Sequence, residues 1–108
     1  MEVLKLYEQV LKECRELFIE RSEQYNLTPE DLWNHFPFGV WSYGTLVLTK
    51  GQRLRTAILN CNGHVDKETS EILKEHLRDL INYAVFFIMY LEKNKSAEKK
   101  RNQKKNNV

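Results

Sequence analysis

Residues that are apolar with the exception of Arg21 recur at alternating steps of three and four along the first 25 positions of the chain. The recurring positions are Leu4, Tyr7, Leu11, Cys14, Phe18, Arg21 and Tyr25, and the face is widened by Val3, Val10 and Leu17. This spacing places the side chains on one face of an α-helix, with charged residues on the other face. The pattern predicts a long amphipathic helix over residues 3–25.

A short second helix is predicted to begin at Thr28. A hydroxyl at the N-cap, proline at the first helical position and acids in the first turn each favour a helix start, and the segment Thr28-Pro-Glu-Asp31 supplies all three. Pro37, Phe38 and Gly39 interrupt the helical pattern. We therefore expect this helix to end at Trp33 or His35.

A third helix is predicted over residues 42–60, followed by a stop at Asn62 and Gly63. Its apolar face consists of Tyr43, Val47, Lys50, Leu54, Ala57 and Cys61. Lys50 interrupts this face, because it is the only charged residue among the six. A lysine on a buried face requires an anionic partner, since an unpaired buried ammonium group is costly.

A fourth helix is predicted from an N-cap at Asp66 to about Lys93. Its core face consists of Leu73, Leu77, Leu80, Ala84, Phe87 and Leu91. Beyond Leu80 the other faces are also apolar, through Ile81, Val85, Phe86, Ile88 and Met89. Such a helix needs cover on every side. Either it pairs with its copy in a homodimer or higher homo-oligomer, which we favour, or the short aromatic-rich helix covers it within one monomer.

The pattern as a whole predicts an all-α fold, a helical bundle of about four helices that is completed by homo-oligomerisation. Its length of 108 residues suits one small domain. The net charge of +2 conceals two unlike parts. Residues 1–92 contain 10 Lys and Arg against 14 Asp and Glu, and residues 93–108 contain 7 against 1. We expect a helical domain over 1–93 and a disordered basic tail over 94–108, which could contact nucleic acid weakly through phosphate charges.

Membrane insertion and secretion are not expected. The longest apolar run, from Leu80 to Leu91, is 12 residues long and includes Asn82, whereas a membrane span needs about 20. The N-terminus is charged from its second residue, unlike a secretory leader. Cys14 and Cys61 lack metal-ligand spacing and fall on apolar helix faces, so we interpret them as packing thiols in a cytoplasmic protein.

Three groups of residues carry candidate chemistry. Lys50 and Arg53 lie one helical turn apart and could clamp a phosphate, although an ion pair between Lys50 and Asp79 explains Lys50 equally well. Glu75, Asp79 and Asn82 share a helix face, and two carboxylates one turn apart can hold Mg²⁺. The segment 33–43 contains five of the 12 aromatic residues. These rings either plug the end of the bundle or, at Trp41 and Tyr43, stack on a nucleobase.

Two short motifs resemble a known superfamily. The third predicted helix contains K-x-x-R-[IL] at Lys50, Arg53 and Leu54, and the fourth contains D-[IL]-x-[NG]-Y from Asp79 to Tyr83. Arg21 and Tyr25 form a looser upstream match. Over residues 15–92 the chain resembles the MazG-like all-α nucleotide pyrophosphohydrolases, particularly the small phage and bacterial branch that includes nucleotide-modification-associated domains.

The resemblance implies an oligomeric helical protein that binds a nucleoside phosphate and, in hydrolytic members, uses Mg²⁺ to release pyrophosphate from a triphosphate. The implied nucleotide-binding residues are Lys50, Arg53, Asn82, Tyr83, Trp41 and Tyr43. The implied catalytic and metal-binding residues are Glu75 and Asp79.

The metal motifs of the superfamily are incomplete in this chain. The expected ExxE is replaced by Lys50-Gly-Gln-Arg53, and Glu75 precedes its ExxD position by one residue. We therefore expect binding, including sequestration of a nucleotide or cyclic nucleotide, more than two-metal hydrolysis. Nucleic-acid binding by the tail and a helical interaction module without a ligand remain alternatives.

Overall fold

The computed structural model describes the backbone of residues 1–24 and 38–106, and the side chains of residues 1–24 and 38–95. It contains α1 (Glu2–Gln24), α2 (Val40–Cys61) and α3 (Lys67–Asn106). The described residues contain no β-strand, which confirms the all-α class. The short helix predicted from Thr28, and the aromatic positions 33–37, lie outside the described residues.

The C-terminal end of α2 and the N-terminal end of α3 lie where the sequence predicted them. Asn62 adopts a left-handed conformation with φ 48° and Gly63 has φ 79°, so the chain leaves the helix where the Asn-Gly pair predicted. Asp66 then caps α3, because the Thr69 N–H donates a hydrogen bond of 2.7 Å to Asp66 Oδ1. The link between α2 and α3 is therefore short and set by local hydrogen bonds.

Helices α2 and α3 form the main packed pair. Tyr43 on α2 is 1% exposed, and its ring stacks on Phe87 and Tyr90 of α3 at centroid distances of 5.8 and 4.9 Å. The remaining predicted core positions of α2, including Lys50, are partly buried. The predicted interior face of α2 is thus confirmed.

Helix α1 packs on α3 through its C-terminal half. Cys14 is 2% exposed, and the centroids of the Phe18 and Phe86 rings lie 5.0 Å apart. Leu4, Tyr7 and Leu11 were predicted to share this buried face, but each remains more than 40% exposed. The prediction of one continuous core face along α1 is wrong, because only the part of α1 that crosses α3 is covered.

Helix α3 differs from its prediction at the C-terminus. The backbone remains helical through Asn106, beyond the predicted end at Lys93 and into the segment predicted to be a disordered tail. Residues 94–106 contain no Gly or Pro, and nine of these 13 residues are Lys, Glu, Gln, Arg or Ala, which favour helix even without an apolar face. Within the part of the chain that the structure describes, no helix meets the length and hydropathy needed to cross a membrane.

Candidate functional site

The carboxylate of Asp79 joins all three described helices. Arg21 Nη1 of α1 donates a hydrogen bond of 2.6 Å to Asp79 Oδ1, and Lys50 Nζ of α2 donates one of 3.2 Å to Asp79 Oδ2. Asp79 is 8% exposed, so these contacts replace water as its partners. The predicted ion pair between Lys50 and Asp79 is present in the structure.

A second polar contact supports the same helix crossing. Asn82 Nδ2, one turn beyond Asp79, donates a hydrogen bond of 3.2 Å to the Cys14 carbonyl oxygen of α1. Asn82 was predicted to orient a ligand, and the structure instead places its amide on the neighbouring backbone. Arg78 Nη2 also reaches Glu13 Oε2 at 3.3 Å. The polar face of α3 from Arg78 to Asn82 therefore holds α1 in place.

The charge of Asp79 is stabilised against its burial. Desolvation alone would raise the pKa of this carboxyl group, but the hydrogen bonds from Arg21 and Lys50 outweigh that effect and lower the pKa below its ordinary value of 3.8. The hydrogen bond to Asp79 likewise raises the pKa of Arg21. The Asp79 carboxylate and the Arg21 guanidinium are therefore both charged near neutral pH.

Tyr83 completes the surroundings of Lys50. The Lys50 ammonium lies 5.6 Å from the centroid of the Tyr83 ring, within the range of a cation–π contact. The Tyr83 ring in turn meets Phe86 edge-on at 5.9 Å. Lys50 thus has an anion on one side and a π-face on the other, and its side chain is only 16% exposed.

Arg53 lies one turn further along α2 and faces a different environment from Lys50. It lines a cleft of about 470 Å³ between the C-terminal half of α2 and the N-terminal half of α3. The lining residues are Arg53, Thr56, Ala57, Asn60, Cys61, Thr69, Ile72, Leu73 and His76. This lining contains a guanidinium, an imidazole and three hydrogen-bonding side chains, and no carboxylate.

Glu75 lies on a separate groove, between α1 and α3. This groove, about 710 Å³ in volume, is lined by three cationic and three acidic side chains, the cations being Arg21, Lys67 and Arg78 and the acids Glu68, Glu71 and Glu75. Their charges balance. The groove therefore offers an anionic ligand no net attraction.

The predicted Mg²⁺ site does not fit these side chains. Both oxygens of Asp79 already accept hydrogen bonds from cations, and Glu75 is exposed on the neighbouring groove. Among the described residues, no group of three or more His, Cys, Asp and Glu side chains is placed to hold a metal ion. A divalent ion at Asp79 would also lie beside the positive charges of Arg21 and Lys50, which repel it.

The two aromatic residues predicted to stack on a base lie in contrasting places. Tyr43 is enclosed between α2 and α3, so its ring serves the core. Trp41, two residues earlier, is 82% exposed. The interpretation that these rings close the end of the bundle therefore holds for Tyr43, while Trp41 is free to meet a ligand or another surface.

Sequence reasoning missed two features of the site. Arg21 was noted on the apolar face of the first helix, but not as the second partner of Asp79; a cation on a buried face was the available signal. The cleft residues Thr56, Asn60 and His76 were not singled out. Arg53, Thr56 and Asn60 do share one helix face by their spacing, which could have indicated a polar-rimmed cleft.

No protein-family model, curated protein or solved structure matches the chain.

Proposed function

We propose that the protein is a MazG-like nucleotide-binding protein that holds a nucleoside phosphate in the cleft between α2 and α3. The observation that carries the proposal is the composition of the cleft wall. It presents Arg53 and His76 with no opposing carboxylate, whereas the groove beside Glu75 has balanced charges. Residues 1–92 carry a net charge of −4, as 10 cationic against 14 acidic residues, so an anion needs a local cation, and Arg53 supplies one in the cleft.

The cleft also has the size and the lining of a small-molecule site. Its volume of about 470 Å³ falls within the range typical of ligand pockets. Ala57, Ile72 and Leu73 supply apolar surface for a base or sugar, and Thr56, Asn60 and Thr69 supply hydrogen bonds. The planar guanidinium of Arg53 suits the oxygens of a phosphate.

Lys50 has a supporting role in this proposal. It lies one turn from Arg53, and its charge is already matched by Asp79 at 3.2 Å. The Arg21–Asp79–Lys50 cluster fixes the relative positions of the three helices beside the cleft. A phosphate could recruit Lys50 as well, by replacing Asp79 as one of its partners.

The proposal favours sequestration of a nucleotide over hydrolysis. Hydrolysis in the manner of the resembling superfamily requires carboxylates that hold Mg²⁺ and activate water, and Asp79 is committed to two cations. Binding requires only the cationic and apolar walls of the cleft. We further propose that the protein acts as a homo-oligomer, because much apolar surface of the described helices is exposed.

The test is a thermal-shift screen followed by calorimetry with mononucleotides, dinucleotides and cyclic nucleotides, with and without Mg²⁺. A ligand that binds the folded state raises the melting temperature, by the equivalent of about 2.7 kcal/mol at 100 times its dissociation constant. Arg53→Gln should weaken binding by about tenfold or more, since a hydrogen bond to a charged group contributes about 1.5–3 kcal/mol.

Arg55→Gln is the matched control. Arg55 is an exposed arginine on the same helix, and it does not line the cleft. Equal losses in the two variants, or no melting shift with any nucleotide, would reject the cleft as a nucleotide site. Measurement of pyrophosphate with the same panel decides the chemistry: release that is abolished by Glu75→Gln would favour a hydrolase over a binder, because Glu75 is exposed and its loss should leave the fold intact.

A further inference from the structure

One face of α3 carries a row of apolar side chains that the other described helices leave uncovered. Leu77, Ile81, Val85 and Ile88 follow one another at steps of four, four and three, so they share a face of the helix. Leu77 is 42% exposed, Val85 44% and Ile88 59%, while Ile81 between them is partly buried. We call these four residues the α3 stripe.

The stripe faces away from both neighbours of α3. Helix α2 contacts Tyr83, Phe87 and Tyr90 through its Lys50 and Tyr43 side chains. Helix α1 contacts a second face, which consists of Arg78, Asp79, Asn82 and Phe86. The stripe occupies the remaining side, and a row of exposed apolar residues along one helix is typical of an interaction surface.

Opposite charges bound the stripe at its two ends. Lys74 lies two turns before Ile81, and Glu92 lies two turns after Val85, on the same face. Both side chains are exposed. The two residues are 18 positions apart, which is about 27 Å along a helix.

Two copies of this helix face have complementary charges only when they pack antiparallel. If two copies of α3 pack antiparallel with Ile81 opposite Val85, then Lys74 of each copy lies opposite Glu92 of the other. Leu77 then meets Met89, which is 40% exposed. Parallel packing would instead bring Lys74 to Lys74 and Glu92 to Glu92. A two-fold symmetric dimer repeats each favourable pair twice.

We propose that the α3 stripe is the contact surface for a second copy of this chain, packed antiparallel about a two-fold axis between Ile81 and Val85. The proposal is independent of the nucleotide site, because the stripe lies on a different face from the cleft and needs no ligand. It assigns a surface and a direction to the homo-oligomer.

The decisive experiment measures the mass of the full-length protein without ligand, by sedimentation equilibrium over a range of concentrations. The wild type should be a dimer. Lys74→Glu and Glu92→Lys should each weaken the dimer by about tenfold, because each variant turns two attractive pairs into two repulsive ones. The double variant with both substitutions should restore the dimer, since the pairs are then attractive again with exchanged charges.

A second pair of variants tests the apolar contact. Val85→Glu should convert the protein to a monomer, because the charge would be buried against Ile81 of the second copy. Leu48→Glu is the matched control, since Leu48 is 72% exposed on α2 and lies outside the stripe. Circular dichroism of each variant verifies that the helices are retained, and the charge-exchange set decides the question if Val85→Glu unfolds.

Several outcomes would overturn the proposal. A wild-type protein that stays monomeric at all concentrations would mean that no second copy covers the stripe. The stripe would then be covered by residues 25–37 of the same chain or by nothing. A dimer that survives Val85→Glu and is broken by Tyr7→Glu would place the contact on α1 instead. Failure of the double charge exchange to restore a weakened dimer would reject the antiparallel direction.

Discussion

At the scale of single residues, one carboxylate connects the three described helices. Asp79 accepts hydrogen bonds from two cations that come from different helices, and Asn82 adds a third link to the α1 backbone. Removal of one member from a buried cluster of this kind leaves the others without their partner, which costs more than the attraction alone contributes. Asp79 is therefore the residue whose loss should matter most to folding.

Asp79→Asn should lower the free energy of unfolding at pH 7 by on the order of 3 kcal/mol. Because the folded state lowers the pKa of Asp79, its stabilising effect is present above the ordinary value of 3.8 and is lost as the pH falls through the lowered folded value. The difference between wild type and variant should therefore shrink below about pH 4. Urea unfolding of both proteins at pH values from 7 to 2.5 measures this difference in unfolding free energy.

Glu71→Gln is the control for this series, since Glu71 is exposed and pairs only with Lys74 of its own helix in the described structure. It should change the unfolding free energy little at any pH. If the Asp79→Asn difference were constant across the pH range, the ionised carboxylate would not be the source of the stability.

At the scale of elements, the start of α2 depends on a glycine. Gly39 has φ 57° and sits against the Tyr90 side chain, so a Cβ atom at this position would overlap the Tyr90 hydroxyl. Positive φ is unfavourable for residues with a Cβ atom. The approach of Gly39 to Tyr90 thus sets where α2 begins relative to α3.

Gly39→Ala and Gly51→Ala should have opposite effects. Gly39→Ala should destabilise the protein by about 1–2 kcal/mol from backbone conformation alone, with a further loss from the Tyr90 overlap. Gly51 lies inside α2 with open space around it, so Gly51→Ala should stabilise the helix by about 0.5–1 kcal/mol. Thermal unfolding of both variants beside the wild type measures the contrast. Two changes of the same sign would contradict the assigned conformation of Gly39.

At the scale of the whole molecule, the described part of the chain buries little apolar surface. Cys14 and Tyr43 are its fully buried apolar side chains, while Leu4, Tyr7, Ile58, Val85 and Ile88 remain exposed. A small domain has few other sources of stability. Association with a second copy would supply the missing burial, as the α3 stripe indicates.

The melting temperature should accordingly rise with protein concentration, by several degrees over a hundredfold range, because dimerisation stabilises the folded state by mass action. Differential scanning calorimetry from micromolar to sub-millimolar protein measures this. A melting temperature that stays constant over the range would indicate a monomer. The control is Val85→Glu, whose melting temperature should not depend on concentration.

Several features of the fold could be predicted because their causes are local. The stop at Asn62 and Gly63 and the cap at Asp66 need only residues within one turn, and the structure reproduces them. Periodicity predicted the inner face of α2, and the demand of a buried ammonium group for an anion predicted the pair of Lys50 and Asp79. The continuation of α3 to Asn106 was not predicted, because helix propensity without an apolar face was interpreted as disorder.

The sequence by itself determined the all-α class and the link between α2 and α3, because the Asn62-Gly63 stop and the Asp66 cap act within one turn. Only the tertiary structure decided that Arg21 joins Asp79, that Tyr43 is enclosed while Trp41 is exposed, and that Arg53 faces a cleft apart from Lys50. Arg21 and Asp79 are 58 positions apart. Their contact depends on where two helices cross. The periodicity of a helix shows which of its faces is apolar, but it does not show how much of that face another helix covers.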